Sequence, residues 1–255
     1  MDFIDTHVHF HFPDYDEDRK ATIDRARQAG MVQCINVGTD VPSSQESLKI
    51  ALQYDFIFAS AGIHPHDAAK ADEQAFRDLE AILKEKKVVA IGEVGLDFFR
   101  EHSPREIQKE VFCRFLTLQK SVQKPLIIHC RDAYEDLREI LREFGDKSFQ
   151  GVMHCFSSDE ETMVRFLDLG FYISFAGPLT YKKNDALRAA CKACPKDRLV
   201  FETDAPFLTP QTYRGKRNES SYLVETMKTA SEIRGESLEK LGEQTTRNAR
   251  KLFNL

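Results

Sequence analysis

The sequence predicts an α/β protein with a (β/α)8 barrel fold, in one domain that spans residues 1–255. Eight short apolar runs with strand character alternate with amphipathic stretches, and eight such repeats fit a chain of 255 residues. No linker rich in proline, glycine or serine divides the chain, which favours a single domain. A doubly wound open sheet is the alternative, but the glycine-rich turn that usually follows its first strand is missing.

The predicted strands are rich in valine, isoleucine and phenylalanine. They are Phe3–His9, Val32–Gly38, Phe56–Ile63, Val88–Gly95, Leu126–Arg131, Gly151–Phe156, Phe171–Phe175 and Leu199–Asp204. Apolar residues that recur every three or four positions predict helices between these strands and after the last one. The predicted helices are Asp18–Ala29, Asp72–Lys86, Glu106–Ser121, Ala133–Phe144, Glu160–Leu169, Tyr222–Ile233 and Leu238–Leu252.

Composition and charge predict a soluble intracellular protein. Hydrophobic residues make up 42% of the chain, charged residues make up 30%, and no run approaches the roughly eighteen apolar residues that a membrane span needs. No basic and apolar leader precedes the first strand, so we expect a cytoplasmic protein with no membrane partner. We also expect a monomer. The net charge of −5 argues against coating duplex nucleic acid by charge alone, but an enzyme that uses local basic loops remains compatible with it.

The six cysteines are scattered, mostly within apolar runs, and we expect reduced thiols rather than a disulfide framework. Cys191 and Cys194 have the spacing of redox and zinc motifs. They have no second pair and stand late in an amphipathic stretch just before Pro195. We therefore leave both cysteines out of the candidate site.

Histidines and carboxylates concentrate where the predicted strands end. The residues at these ends are His7, His9, His64, Glu93, Asp97, His129, Arg131, His154, Glu202 and Asp204. In a parallel barrel the carboxyl ends of all strands open onto one face, where active sites are built. A single His-x-His motif is more often solvated or structural, but that reading is improbable at five converging strand ends. Four imidazoles with two carboxylates can bind two divalent ions.

Seven segments then identify a resemblance to a known family. In chain order they are FIDTHVHF, GIHPHDA, AIGEVGLDFFR, PLIIHCRDA, HCFSS, FETDAPFLTP and YRGKRNE. They resemble the signature segments of the TatD family of metal-dependent hydrolases, from Phe3 to about Glu219. The members of this family adopt a TIM barrel and are generally described as nucleases that act on DNA ends.

The resemblance implies a role for each matching residue. One ion would be held by His7, His9 and Asp204, a second by His129 and His154, and Glu93 would bridge the two. The substrate contacts implied by the family are His64 and the basic loop residues Arg214, Lys216 and Arg217. The chain departs from the family at Phe10-His11, where Leu-Asp often stands, and at Ser220, where proline often follows Asn-Glu. His11 therefore receives no role.

These assignments predict hydrolysis of DNA, exonucleolytic at single-stranded ends, by a water activated at two divalent ions, with RNA left open as a substrate. Imidazole and carboxylate ligands suit Zn, Mn or Co better than Mg, although cellular abundance can override this preference. Asp204 is the candidate to orient the water and take its proton. Arg131 shares a strand face with His129 and could clamp a phosphate or pair with a neighbouring carboxylate. Glu202 could assist or hold a further ion.

Three other readings stay open. A hydrolase of the wider amidohydrolase type would act on small molecules, but many of those bridge their metals with a carboxylated lysine where this chain has Glu93. A D-aminoacyl-tRNA deacylase would use the same activated water. A non-catalytic barrel would only bind nucleic acid. For base stacking, the aromatic candidates near the mouth are Phe98, Phe99, Tyr181 and Tyr213.

Overall fold

The computed structural model describes residues 1–145 and 149–255. Within them, eight strands form one parallel sheet in which each strand pairs with the next in the chain. The strands are β1 Phe3–Val8, β2 Met31–Val37, β3 Ile57–Ala61, β4 Val88–Asp97, β5 Leu126–Arg131, β6 Gly151–Met153, β7 Tyr172–Phe175 and β8 Leu199–Phe201. This order confirms the predicted (β/α)8 barrel.

Helices connect consecutive strands on the outside of the sheet, and the last two follow β8. Within the described residues they are α1 Arg19–Ala29, α2 Val41–Ala51, α3 Glu73–Leu83, α4 Arg105–Val122, α5 Tyr134–Glu143, α6 Glu160–Asp168, α7 Asp185–Ala193, α8 Leu223–Arg234 and α9 Leu238–Phe253. Helix α2 was not predicted, because its buried face carries Ser44 and Ser47, with Ile50 as its large apolar residue. No helix of the described residues is both long and apolar enough to cross a membrane.

The barrel closes where β1 meets the chain just beyond β8. Val8 and Ala205 form a parallel bridge there. The amide of Asp204 donates to the carbonyl of His7 at 2.9 Å, and the amide of His9 donates to the carbonyl of Ala205 at 2.9 Å. The contact that closes the barrel therefore also places Asp204 beside the two histidines of β1.

One end of the barrel interior is filled with apolar side chains. Ile4, Ile127 and Val200 come from the amino-terminal parts of β1, β5 and β8 and belong to one buried cluster, so they meet inside the barrel. Leu252 and Phe253 of α9 pack against the same cluster and cover this end. The carboxyl ends of the strands are thus the end left for polar side chains.

Five strands, β1, β3, β6, β7 and β8, are shorter than predicted, and β4 is longer. β6 ends at Met153 and β8 at Phe201, so His154, Glu202 and Asp204 lie in the turns that follow. Asp204 has a φ of 54°, in the left-handed region. A turn therefore directs Asp204, and the predicted continuation of the strand to Asp204 was wrong. By contrast, β4 continues to Asp97 and includes both of its carboxylates.

Candidate metal centre

The predicted ligands meet in one cleft at the carboxyl end of the barrel. The cleft has a volume of about 610 Å³. The predicted site residues that line it are His9, His64, Glu93, His129, Arg131, His154 and Asp204. His7 lies against them, fully buried, with its ring stacked on that of His154 at a centroid distance of 3.9 Å. Residues distant in the sequence thus form a single cluster.

The first ligand group consists of His7, His9 and Asp204. The Nε2 atoms of His7 and His9 lie 3.1 Å apart. Oδ1 of Asp204 lies 3.6 Å from Nε2 of His7 and 3.4 Å from Nε2 of His9. One potential ligand atom from each residue therefore faces a common point.

Glu93 stands between this group and the remaining histidines. Its Oε2 lies 3.3 Å from Nε2 of His7, while its Oε1 lies 2.8 Å from Nδ1 of His129 and 3.1 Å from Nε2 of His154. Although burial opposes ionisation, the imidazoles around Glu93 hold its pKa well below the ordinary value. Glu93 is therefore an ionised carboxylate with one oxygen toward each side of the cluster.

Hydrogen-bond acceptors outside the cluster determine which ring nitrogen of His9 and of His129 carries the proton. Nδ1 of His9 lies 2.7 Å from the carbonyl oxygen of Val37, and Nε2 of His129 lies 3.0 Å from Oδ2 of Asp97. An acceptor at such a distance keeps a proton on the nitrogen that faces it. The opposite nitrogens, Nε2 of His9 and Nδ1 of His129, therefore face inward, where each can offer its lone pair to a cation.

His154 follows the same pattern through Glu202. Its Nδ1 lies 2.8 Å from Oε1 of Glu202, which also accepts a hydrogen bond from the amide of Cys155 at 2.7 Å. Nε2 of His154 is left facing Glu93. Glu202 also stands in a possible ligand group with His7 and His154. Its position behind His154 favours orientation of that ring over direct binding of an ion.

The donor chemistry fits divalent cations. The Nε2 atoms of His7 and His9 face each other across 3.1 Å, and such a contact needs a proton or a cation between the nitrogens. The whole set combines buried imidazole nitrogens with the carboxylates of Glu93 and Asp204. Nitrogen and oxygen ligands of this kind are typical of Zn²⁺, Mn²⁺ and Co²⁺ sites. The residues present can therefore hold such ions.

Comparison with known proteins shows the family. The family described as "TatD related DNase" matches residues 4–254. The chain belongs to the TatD family. It is 41% identical to the metal-dependent hydrolase YabD of Bacillus subtilis over 252 residues, covering 99% of each chain. It is 36% identical to a protein of Pantoea ananatis named 3'-5' ssDNA/RNA exonuclease TatD, over 93% of this chain and 94% of that one.

A solved structure shows the same architecture. The TatD homologue YJJV of Escherichia coli K12 superposes with a TM-score of 0.93 at 30% identity, over 99% of this chain and 98% of that one. This similarity and the relatives named above show that the protein is a metal-dependent hydrolase of the TatD family.

His64 differs from the other histidines of this TatD-family cleft. Its Nδ1 accepts a hydrogen bond from the amide of His66 at 3.1 Å, so the proton of the neutral ring lies on Nε2. Burial lowers the pKa of His64 to about 3, which keeps the ring neutral near pH 7. Nε2 of His64 lies 3.5 Å from Glu93. Because this nitrogen carries the proton, it offers the cleft a hydrogen-bond donor and not a lone pair.

The predicted cationic contacts separate into two kinds. Arg131, Arg214 and Lys216 are exposed and form no ion pair with another described residue. Arg131 lies over the ring of Phe99, with its guanidinium carbon 3.8 Å from the ring centre. Arg217 instead pairs with Asp18 at 2.8 Å and therefore anchors its loop to the segment before α1.

Sequence reasoning left some residues of the cleft without a role. Asp97 was recognised at a strand end, and its spacing of four from Glu93 on the same strand was the signal that both face the cleft. Phe12 and Phe207 line the cleft but were missed, because nothing in the local sequence separates a rim aromatic from a packed one. Of the suggested stacking residues, Phe98 is buried, and Tyr213 stacks on Tyr222 at 3.9 Å.

Proposed function

We propose that this TatD-family hydrolase cleaves phosphodiester bonds in DNA, exonucleolytically at single-stranded ends, with two divalent ions per chain. The observation that carries the proposal is the position of Glu93, whose two oxygens face His7 on one side and His129 and His154 on the other. One carboxylate shared between two sets of imidazoles is the arrangement that a pair of cations requires, because it offsets their repulsion. The exonuclease name of the Pantoea ananatis relative supports nucleic acid as the substrate.

Each residue has a distinct task in this proposal. His7, His9 and Asp204 would bind one ion, His129 and His154 the other, and Glu93 both. Bound Mg, Mn, Zn or Co ions would lower the pKa of a water and neutralise charge that develops on the phosphate oxygens. Asp204 would orient that water and accept its proton. Its side chain is partly exposed to the cleft, while its Oδ1 faces His9.

The remaining polar groups would hold the substrate. His64 would donate from Nε2 to a non-bridging oxygen of the scissile phosphate, and its neutral state avoids adding a charge beside the ions. Arg131 is exposed at the mouth and could meet a neighbouring phosphate. Arg214 and Lys216 lie on the exposed loop after β8, where they would follow the nucleic acid backbone.

The reading as an amidohydrolase with a carboxylated lysine is disfavoured by geometry. The bridging position of β4 belongs to Glu93. The nearby Lys87 lies at the other end of the barrel, where its Nζ donates to the carbonyls of Tyr54 and Ile57 at 2.8 and 3.0 Å. A lysine held there cannot reach the cleft.

The decisive test is digestion of end-labelled single- and double-stranded DNA by purified protein, with each of the four metals and with a chelator. The proposal expects stepwise shortening of single-stranded DNA that stops when the metal is removed. A charged D-aminoacyl-tRNA is assayed in parallel. Release of the amino acid without any DNA cleavage would replace the proposed function with deacylation, and binding that a chelator leaves unchanged would indicate a non-catalytic barrel.

A further inference from the structure

Two exposed aromatic rings stand at the mouth of the metal centre. Among the described residues, the large hydrophobic side chains that are exposed are Met1, Leu52, Phe99, Val164 and Phe207. Both aromatic members of this set follow strand ends at the carboxyl face, Phe99 after β4 and Phe207 after β8. Phe207 is 50% exposed and lines the cleft itself. An apolar ring at the mouth of a polar cleft offers a flat surface to a ligand that enters the cleft.

Phe207 is joined to the metal centre through a stack of rings. The ring of Phe12 is stacked on that of His9, with centroids 4.6 Å apart and planes at 16°. Phe207 meets Phe12 edge-on at 5.8 Å. The ring centres of Phe207 and His9 are themselves 6.4 Å apart, so a flat group that lies on Phe207 stands close to the candidate ligand His9.

The strand order places cationic residues on the other side of the mouth. Phe12 and Phe207 follow β1 and β8, which are neighbours where the barrel closes. Arg131 ends β5 and lies over Phe99, which follows β4. In a ring of eight strands, the junction of β4 and β5 lies opposite the junction of β8 and β1. A ligand that crosses the centre would thus meet an apolar ring on one side and a guanidinium on the other.

We propose that Phe207, supported by Phe12, is a stacking platform for the nucleobase next to the scissile phosphate. The inference rests on the proposed function and specifies how it selects its substrate. A base can lie flat on the ring only when it is not stacked and paired within a duplex, so the platform favours single-stranded ends. Stacking of one base on an aromatic side chain contributes enough affinity to make such a selection effective.

The chain contains no tryptophan, which permits a direct test. Phe207→Trp creates a single indole at the platform, and a base that stacks on an indole quenches its fluorescence. The titrant is a short single-stranded oligonucleotide with phosphorothioate linkages, which resist hydrolysis, compared with the same backbone lacking the terminal bases. Leu52→Trp is the matched control. Leu52 is exposed at the end of α2, beside the amino-terminal end of β3, and therefore lies at the opposite end of the barrel from the cleft.

The proposal expects saturable quenching of the Phe207→Trp protein, with an affinity about tenfold higher for the oligonucleotide with bases. The Leu52→Trp protein should show no quenching. Equal quenching by both oligonucleotides, or none, would overturn the platform. A Phe207→Trp emission that shifts with protein concentration alone would assign the ring to a contact between copies and would likewise overturn it.

Kinetics supply a second and independent readout. Phe207→Ala should raise KM for single-stranded DNA about tenfold with little change in kcat, and Phe207→Tyr should restore it. On the substrate without terminal bases, Phe207→Ala and the unmodified protein should have equal KM values, and an equal loss on both substrates would contradict stacking.

Base-dependent quenching without any DNA cleavage would leave the platform standing and refute the proposed nuclease. Cleavage without base-dependent quenching would leave the proposed nuclease standing and refute the platform.

Discussion

Asp97 accepts a hydrogen bond from Nε2 of His129 across 3.0 Å, and this contact turns Nδ1 of His129 toward Glu93. The other oxygen of Asp97 accepts the amides of Phe99 and Arg100 at 3.0 and 2.8 Å, so the carboxylate cannot rotate freely. Asp97 therefore acts as a positioning residue behind a candidate metal ligand. In metal sites such outer partners fix the orientation of the ring and its proton.

Replacing Asp97 with asparagine should weaken metal binding. In Asp97→Asn, Oδ1 can still accept the two backbone amides, but an amide donor would face Nε2 of His129 and oppose its proton. We expect about a 10- to 100-fold loss of metal affinity with the fold retained, measured by competition with a chelating dye. Asp24→Asn is the control, since among the described residues Asp24 pairs with the exposed Lys20 alone. Unchanged affinity in Asp97→Asn would exclude the positioning role.

Replacing His129 should reduce the number of bound ions. His129→Ala removes a ring whose Nδ1 lies 2.8 Å from the proposed shared carboxylate of Glu93. Elemental analysis of the metal-loaded protein should show a fall from about two ions per chain toward one. His102→Ala removes an exposed histidine and should leave the content unchanged. Equal metal content in the two variants would refute the second ion site.

Replacing Asp204 should separate metal binding from turnover. In Asp204→Asn the side-chain oxygen near His9 is retained, but the group can no longer take a proton. We expect activity to fall by about 10²- to 10⁴-fold, the usual contribution of a general base, while circular dichroism and metal content stay close to those of the unmodified protein. Activity within a few fold of normal would show that another group accepts the proton.

The ion pair between Asp18 and Arg217 should help to hold the basic loop in place and stabilise the fold. Hydrogen bonds from Arg217, and then from Arg25, hold the pKa of Asp18 below its ordinary value despite the opposing effect of desolvation. A carboxylate whose pKa is depressed by folding stabilises the protein above the unfolded-state pKa, near 3.9, and loses that contribution as the pH falls further. Asp18→Asn should therefore lower Tm at pH 7, and the difference should shrink between about pH 5 and pH 3. A Tm difference that does not depend on pH would point to lost hydrogen bonds rather than charge.

Much of the barrel could be predicted from residue type and spacing. Apolar runs such as Leu126–Arg131 matched the observed strand, because a buried strand needs a short continuous apolar segment whatever surrounds it. Helix α2 was missed for the opposite reason. The buried side chain of Ser47 donates to the carbonyl of Asn36, a partner outside its own helix. Its burial depends on the packing of α2 against β2, which no local period reveals.

The sequence by itself determined the repeat pattern and the residue types at the strand ends, because strand and helix periods and ligand chemistry are local properties. It could also indicate that His7, His9, Glu93, His129, His154 and Asp204 belong together. Only the tertiary structure decided how they are used. The nitrogen that each ring turns inward depends on acceptors from other strands, such as Val37 and Asp97. The direction of Asp204 depends on a turn that the closure of the barrel imposes.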